Sequence, residues 1–258
     1  MRSTADDGQG KVRGAFEVAA ERHVTARGQP LPGGGDEGGE VSGVPLGRGG
    51  EPGRVLGRSP PEPDRRRQLA GGHGPVQETW NTLVSDAQTM HALSNAAVSG
   101  MLRTADYARN VFEGHSALQN APRDTETAVR ARMKRQERLY RRGKRLNLLM
   151  HESVLWARIC PSEVPAAQLD RLPGVVGMDT VGIGILPLDA NLPLPLGNSF
   201  CMLDERLVVV EDRHAELWLD DAEAIALHRR VWDTFAESAV FGADAQQVIA
   251  RVRRSIGD

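Results

Sequence analysis

The sequence predicts an α+β fold: a small antiparallel sheet flanked by helices, preceded by a helical segment and a largely disordered N-terminal third. Three observations predict it. Ser199–Leu219, SFCMLDERLVVVEDRHAELWL, reads as a strand, a tight turn and two further strands, the clearest β signal in the chain. Helical spacing of apolar residues flanks this stretch on both sides, and no strand–helix–strand alternation is visible. Residues 1–75 hold 18 of the 28 glycines and 8 of the 15 prolines, with Phe16 as their one aromatic residue. Such a segment buries too little apolar surface to offset its backbone entropy. The predicted organisation is 1–75 Gly/Pro-rich and largely disordered, 76–145 helical and 146–258 α+β, with 76–258 as one unit.

Taken in order, Gly14–Ala26 is the one helical pattern of the first third, and Gly28 ends it. The triplet Arg65–Arg67 reads as a solvated linker charge or a phosphate contact. Gln77–Ser99 reads as one amphipathic helix, with Trp80, Leu83, Val84, Ala87, Met90, Ala97 and Val98 at helical spacing. Thr104 is an N-cap for a helix over Ala105–Phe112, with Asp106 in its first turn. Pro122 and Asp124 open a third helix, whose apolar line of Val129, Met133 and Leu139/Tyr140 is interrupted by Gln136.

Charge concentrates on that third helix. Residues 121–145 carry 10 Lys/Arg against 3 Asp/Glu, whereas 146–258 carry 9 against 17. The candidate nucleic-acid contacts are Arg130, Arg132, Lys134, Arg135, Arg138, Arg141 and Arg142, followed by Lys144 and Arg145. Lys and Arg neutralise phosphates; the competing reading is a solvated helix face, or a complement to the acidic C-terminal half. Tyr140 is the one aromatic residue there, so base stacking is not suggested.

In the last segment, Leu146–His151 alternates as a half-buried strand, and Ser162–Leu172 is a short helix capped by Ser162. Thr180–Leu188 is a strand whose Gly182 and Gly184 face a close neighbour. Phe200–Leu203 and Arg206–Glu211 flank an Asp204-Glu205 turn. A strand over Ala215–Leu219 follows. Asp220 and Glu223 form a capping box for a helix that buries Ile225, Val231 or Trp232, Phe235, Ala239 and Val240 and ends at Gly242. A final helix covers Asp244–Ile256. The hairpin thus reads as the centre of the sheet, joining the two earlier strands.

Composition is ordinary for a globular chain, with 40% apolar and 26% charged residues. Cys160 and Cys201 form neither a disulfide framework nor a metal spacing, and read as reduced core residues. No signal peptide or membrane-spanning run is present, so a cytoplasmic protein with no membrane partner is expected. No enzyme, cofactor or metal is expected. Gly182-x-Gly184 lacks a third glycine, His151-Glu152 lacks a second histidine, and no Gly-x-Ser-x-Gly occurs. Asp204, Glu205, Glu211, Asp212, His214 and Glu216 could gather a cation; the alternative is turn and edge-strand charge. His228 reads as a core-edge histidine.

Several stretches resemble one family. SGMLRTADYARNVF (Ser99–Phe112) resembles its PGLLQT-x-x-YA element. RQERLYRRGKRLNLLMHESVLWARI (Arg135–Ile159) resembles its RQ-x-x-L, strand and E-x-x-L elements. AAQLDRL (Ala166–Leu172), VGIGILPL, SFCMLDERLVVVED and AESAVFGADAQQVI follow in the same order. The family is the C-terminal domain of unknown function of actinomycete Xre-type helix-turn-helix regulators, which are antitoxin-like transcriptional regulators. Ser99 stands for a proline and Arg103 for a glutamine, which predicts a looser turn there; His228 stands where a tyrosine is usual.

The resemblance implies a transcriptional regulator acting through a C-terminal partner- or ligand-binding domain. The alternative is a non-DNA-binding interaction module, because the helix-turn-helix expected over 1–75 is not legible. Gly28 to Gly74 has the composition of GC-rich coding sequence read in a shifted frame. The partner classes are DNA, bound weakly by this chain alone, a small cognate partner protein, and a second copy of the chain in a homodimer.

Overall fold

A strand stands where the sequence predicts the end of the first long helix. The computed structural model describes residues 72–122, 124–212 and 216–256. In order these form α1 (His73–Asp86), β1 (Thr89–Ser94), α2 (Ala105–Gln119), α3 (Thr125–Gln136), β2 (Arg145–His151), α4 (Ser153–Trp156), α5 (Glu163–Arg171), β3 (Val181–Leu186), β4 (Phe200–Leu203), β5 (Leu207–Glu211), β6 (Glu216–Leu219), α6 (Ala222–Glu237), β7 (Val240–Phe241) and α7 (Gly242–Ile256). Short 3₁₀ turns follow α3 and α5, at Glu137–Tyr140 and Leu172–Gly174. The expected Gly14–Ala26 helix, the Arg65–Arg67 triplet, the rest of the Gly/Pro-rich segment before Gly72, and His214 lie outside the described residues.

The described strands make one seven-stranded mixed sheet, ordered β6-β5-β4-β1-β2-β3-β7. It is larger than the small antiparallel sheet expected. β1, β2 and β3 pair in parallel, and the remaining pairs are antiparallel. Parallel neighbours need a crossover, and here α2 and α3 link β1 to β2, while α4 and α5 link β2 to β3. The expectation of no strand–helix alternation is therefore corrected. β1, TMHALS, misleads because its residues from Met90 to Leu93 are all buried, so no polar face alternates. Its Met, Ala and Leu also favour helix over strand.

The hairpin moves from the expected centre to one side. β4 pairs with β1, not with β2 or β3. The turn stands between β4 and β5 as expected, but it takes in Arg206, which the sequence assigns to the second strand.

Alternation gives the sheet two apolar faces. On one, Met90, Ala92, Leu146, Leu148, Met150, Val181, Ile183, Ile185, Cys201 and Val209 share a core with α1, α4, α5 and α7 through Trp80, Val84, Leu155, Leu169, Val248, Ile249 and Val252. On the other, α6 brings Trp232 edge-on to His91, with ring centroids 4.8 Å apart, and His228 edge-on to Phe200 at 4.9 Å. Gly184 lies on this second face. A Cβ there would sit 2.5 Å from the Phe241 ring and 2.6 Å from Leu149, so the expected close approach is real.

Local details shift by a residue or more. α1 begins at His73, inside the segment expected to lack structure. α2 runs on to Gln119, and Thr104 caps it by accepting from the Tyr107 N–H. Ser162 makes no capping bond to α5. Asp221, not Asp220, caps α6, accepting from the Ala224 N–H at 2.8 Å. α6 stops at Glu237, because Val240–Phe241 leave it to pair with β3, and Gly242, at φ 55°, opens α7 instead of closing α6.

Candidate functional site

The basic residues of α3 are best understood from α1, which lies beside it. α1 and α3 run in the same direction: Asp124, at the start of α3, meets the start of α1, and Arg138, just past the end of α3, meets its end. A helix leaves its first N–H and last C=O groups without partners. At the start of α1, the Asp124 carboxylate accepts from His73 N–H at 2.9 Å and Gly74 N–H at 2.5 Å. Gly72, at φ 91°, and Gly74 are needed there: a Cβ on either would lie within 3 Å of that carboxylate. Asp124 therefore opens α3 by position, as expected, while its side chain caps α1.

At the end of α1, Arg138 donates to the Val84, Ala87 and Gln88 carbonyls. Lys144 Nζ donates to Ser85 and Ala87 at 2.9 and 2.8 Å. Cations there also oppose the helix dipole. In the middle, Arg135 Nε donates to Asn81 Oδ1 at 2.8 Å, and its Nη2 to the Gln77 carbonyl at 2.7 Å. Burial pushes the Arg135 guanidinium down to about 10 and lowers Arg138 as well.

The seven candidate contacts therefore divide. Arg135 and Arg138 are buried and donate to α1, which turns them away from the surface where a phosphate would lie. Arg132 is half-buried between α1, α2 and Gly100: its Nε donates to Gln77 Oε1 at 2.8 Å and its guanidinium lies 5.3 Å from the Phe112 ring centroid. Arg130, Lys134, Arg141 and Arg142 are exposed, and none has a carboxylate within ion-pair distance among the described residues. Glu137 is exposed among them. A shallow cleft of about 80 Å³ between α1 and α3 is lined by Asn81, Ser85, Lys134, Glu137 and Arg141.

Behind α3 lies a network whose members are scattered through the sequence. Gln136, which interrupts the apolar line, donates to the Gly100 and Arg103 carbonyls at 3.3 and 2.7 Å. Gln168 accepts from Thr104 N–H and donates to the Leu102 carbonyl, and Arg171 joins Leu102 to Gln136. Arg103 Nε donates to the Val98 carbonyl at 2.7 Å, so the Ser99–Arg103 turn is tied where a looser one is expected. The signal was a glutamine at a buried helical position, which marks a polar contact to be satisfied.

The other candidates separate. Asp204 Oδ1 accepts from Gln88 and Thr89 N–H at 2.7 Å each, pinning the hairpin turn to the start of β1. Glu205 pairs with Arg229, and Glu216 is buried beside Trp218. No group of three metal-ligating side chains converges among the described residues. Cys201 is buried and Cys160 half-buried; both are free, and burial pushes the Cys201 thiol up to about 12. His228 Nδ1 faces the Ala224 carbonyl at 2.8 Å, at the edge of the core. Glu152, 1% exposed, accepts from Trp156, from Arg251 and from Leu188 N–H. No helix among the described residues is long and apolar enough to cross a membrane.

Residues 77–251 match the family model described as Domain of unknown function (DUF5753), and the chain belongs to that family. No curated protein matches. Among solved structures, NucT from Helicobacter pylori aligns at 13% identity and a TM-score of 0.35, over 69% of this chain and 92% of that one. A structure of TrmBL2, an archaeal chromatin protein with a novel mode of DNA binding, aligns at 14% identity and a TM-score of 0.31, over 66% of this chain and 51% of that one. At these values neither likeness carries a function across.

Proposed function

We propose that this member of the DUF5753 family is a transcriptional regulator of the Xre antitoxin-like class, with the domain over 77–251 as its partner- or ligand-binding part. The carrying observation is the division of the α3 cations. Capping and clamping α1 accounts for Arg135, Arg138 and Lys144. It leaves Arg130, Lys134, Arg141 and Arg142 exposed, with no carboxylate paired to them among the described residues. Such a strip supplies sequence-independent attraction to a polyanion, which assists a DNA-reading part without replacing it. Tyr140, 64% exposed within the strip, favours the second reading, an interaction module that meets a small cognate partner protein without DNA.

Retention of genomic fragments at two salt concentrations tests this. Under the regulator reading, sequence-dependent retention survives about 200 mM salt, and replacing Arg141 and Arg142 with Gln lowers the salt slope by about 1–2. Retention that vanishes with salt, or none at low salt, overturns it in favour of the interaction module.

A further inference from the structure

Two matching rows line the shallow cleft of about 80 Å³ between α1 and α3. Asn81, Val84 and Ser85 come from α1, and Lys134, Glu137 and Arg141 from α3 and the turn after it, each row at helical spacing. The floor is Val84, 1% exposed, together with Arg135 and Arg138, which reach beneath the cleft to α1. Burial lowers the pKa of both arginines, and carboxylates oppose it: Glu211 and Glu78 for Arg135, Asp204 for Arg138. The buried pair thus already has its counter-charges. The rim does not. Lys134 and Arg141 are exposed, and neither has a carboxylate within ion-pair distance among the described residues. The exposed Ser85 hydroxyl donates to no described group.

A cleft with cations on its rim and an apolar floor concentrates positive potential where a narrow chain can lie. Lys134 and Arg141 are seven residues apart, about 10 Å along a helix. Glu137 stands between them on the same row, so the rim reads plus, minus, plus. Its complement is a chain that carries carboxylates and also brings N–H donors, which an extended peptide does and a phosphodiester backbone does not. Tyr140, 64% exposed, precedes Arg141 and adds the kind of aromatic contact that protein interfaces favour.

We propose that the cleft between α1 and α3 docks an extended acidic segment of a partner protein, with one carboxylate on Lys134 and a second on Arg141. This rests on the partner-binding part of the function proposed above. Ser85 and Asn81 form the opposite wall, and Glu137 accepts from the backbone of the segment. The acidic half of a second copy of this chain fits less well. Its Glu152, Asp170, Glu205 and Asp233 are already held by arginines of their own chain.

Fluorescence anisotropy of a labelled deca-glutamate peptide, titrated with the full chain at about 50 mM salt, tests this. The peptide offers carboxylates at every spacing. The wild type binds it saturably, and Lys134→Glu and Arg141→Glu each raise Kd about tenfold. Ser85→Phe fills the cleft and leaves every charge in place, so it also raises Kd about tenfold. Arg254→Glu, on the exposed side of α7, makes the same change in net charge and stays within about twofold. All four positions but Lys134 and Arg141 serve as controls on charge, and all four side chains are exposed, so the variants keep the fold. Equal losses in Arg254→Glu and Arg141→Glu, or unchanged binding in Ser85→Phe, mean diffuse attraction to the surface and overturn the proposal. Tighter binding of a ten-nucleotide oligothymidylate than of the peptide also overturns it and leaves the regulator reading intact. Self-association of the wild type without peptide, abolished in Arg141→Glu, gives the cleft to a second copy and overturns it as well.

Discussion

At Asp204 and Glu205 the backbone enters the left-handed region, with φ 52° and 54°. Two such residues between antiparallel strands make a type I′ turn, which normally takes Asn-Gly. Each L side chain there costs about 1–2 kcal/mol. Asp204 compensates through its two bonds to Gln88 and Thr89. Glu205 has an ion pair with Arg229, and with its side chain 56% exposed that contact is worth less than about 1 kcal/mol. Glu205→Gly is therefore expected to stabilise by about 0.5 kcal/mol, read as a raised urea midpoint at unchanged m-value; a lowered midpoint would mean that the ion pair outweighs the strain. The turn is legible because Asp-Glu interrupts two apolar, β-rich runs. The second role of Asp204 is not, because its partners lie 116 and 115 residues away in sequence.

At the scale of elements, α1 and α3 work as one clamped pair. Arg138→Met removes every side-chain donor that Arg138 gives the end of α1, and is expected to cost about 2–3 kcal/mol in urea unfolding. Arg142→Gln, on the exposed strip, should stay within about 0.5 kcal/mol. Equal losses in the two would show that α1 does not depend on its clamp. The sequence places ten cations around α3 but cannot orient them, since inward and outward arginines look alike until a neighbour is known. Gln77 and Asn81 on α1, one turn apart, were the available hint: amides on an apolar face need charged or polar partners. β1 shows the complementary failure, since burial on both faces erased the period-2 pattern that marked β2, while β5, equally buried, was marked by its run of valines.

For the molecule as a whole, the middle of the sheet sets the response to acid. His91, on the central β1, is buried against Trp232, and its Nε2 lies 2.9 Å from Asn147 Nδ2. Burial, then the Arg229 charge, holds its pKa down at about 3. The folded protein refuses a proton that the unfolded chain accepts below about 6.5. The stability is whole above that value and is lost as pH falls toward about 3. Burial opposes charge on Glu152, but the Trp156, Arg251 and Leu188 donors prevail and lower its pKa, so a second loss sets in below its ordinary value of 4.5. Urea midpoints measured against pH should show both limbs. His91→Phe should flatten the upper limb and keep the lower; an unchanged upper limb would mean that His91 is protonated in the fold.

The clamp on α1 also orders events in time. As the chain leaves the ribosome, His73–Asp86 emerges well before Asp124, Arg138 and Lys144, which complete its ends. A helix of 14 residues is marginal in water by itself. β1 waits in the same way for β2 and, later still, for β4. Throughout that interval Trp80, Val84, Met90 and Leu93 are uncovered. The nascent protein thus presents its earliest described apolar segment as an open stretch until well past its midpoint, which makes His73–Ser94 the segment for a chaperone to hold.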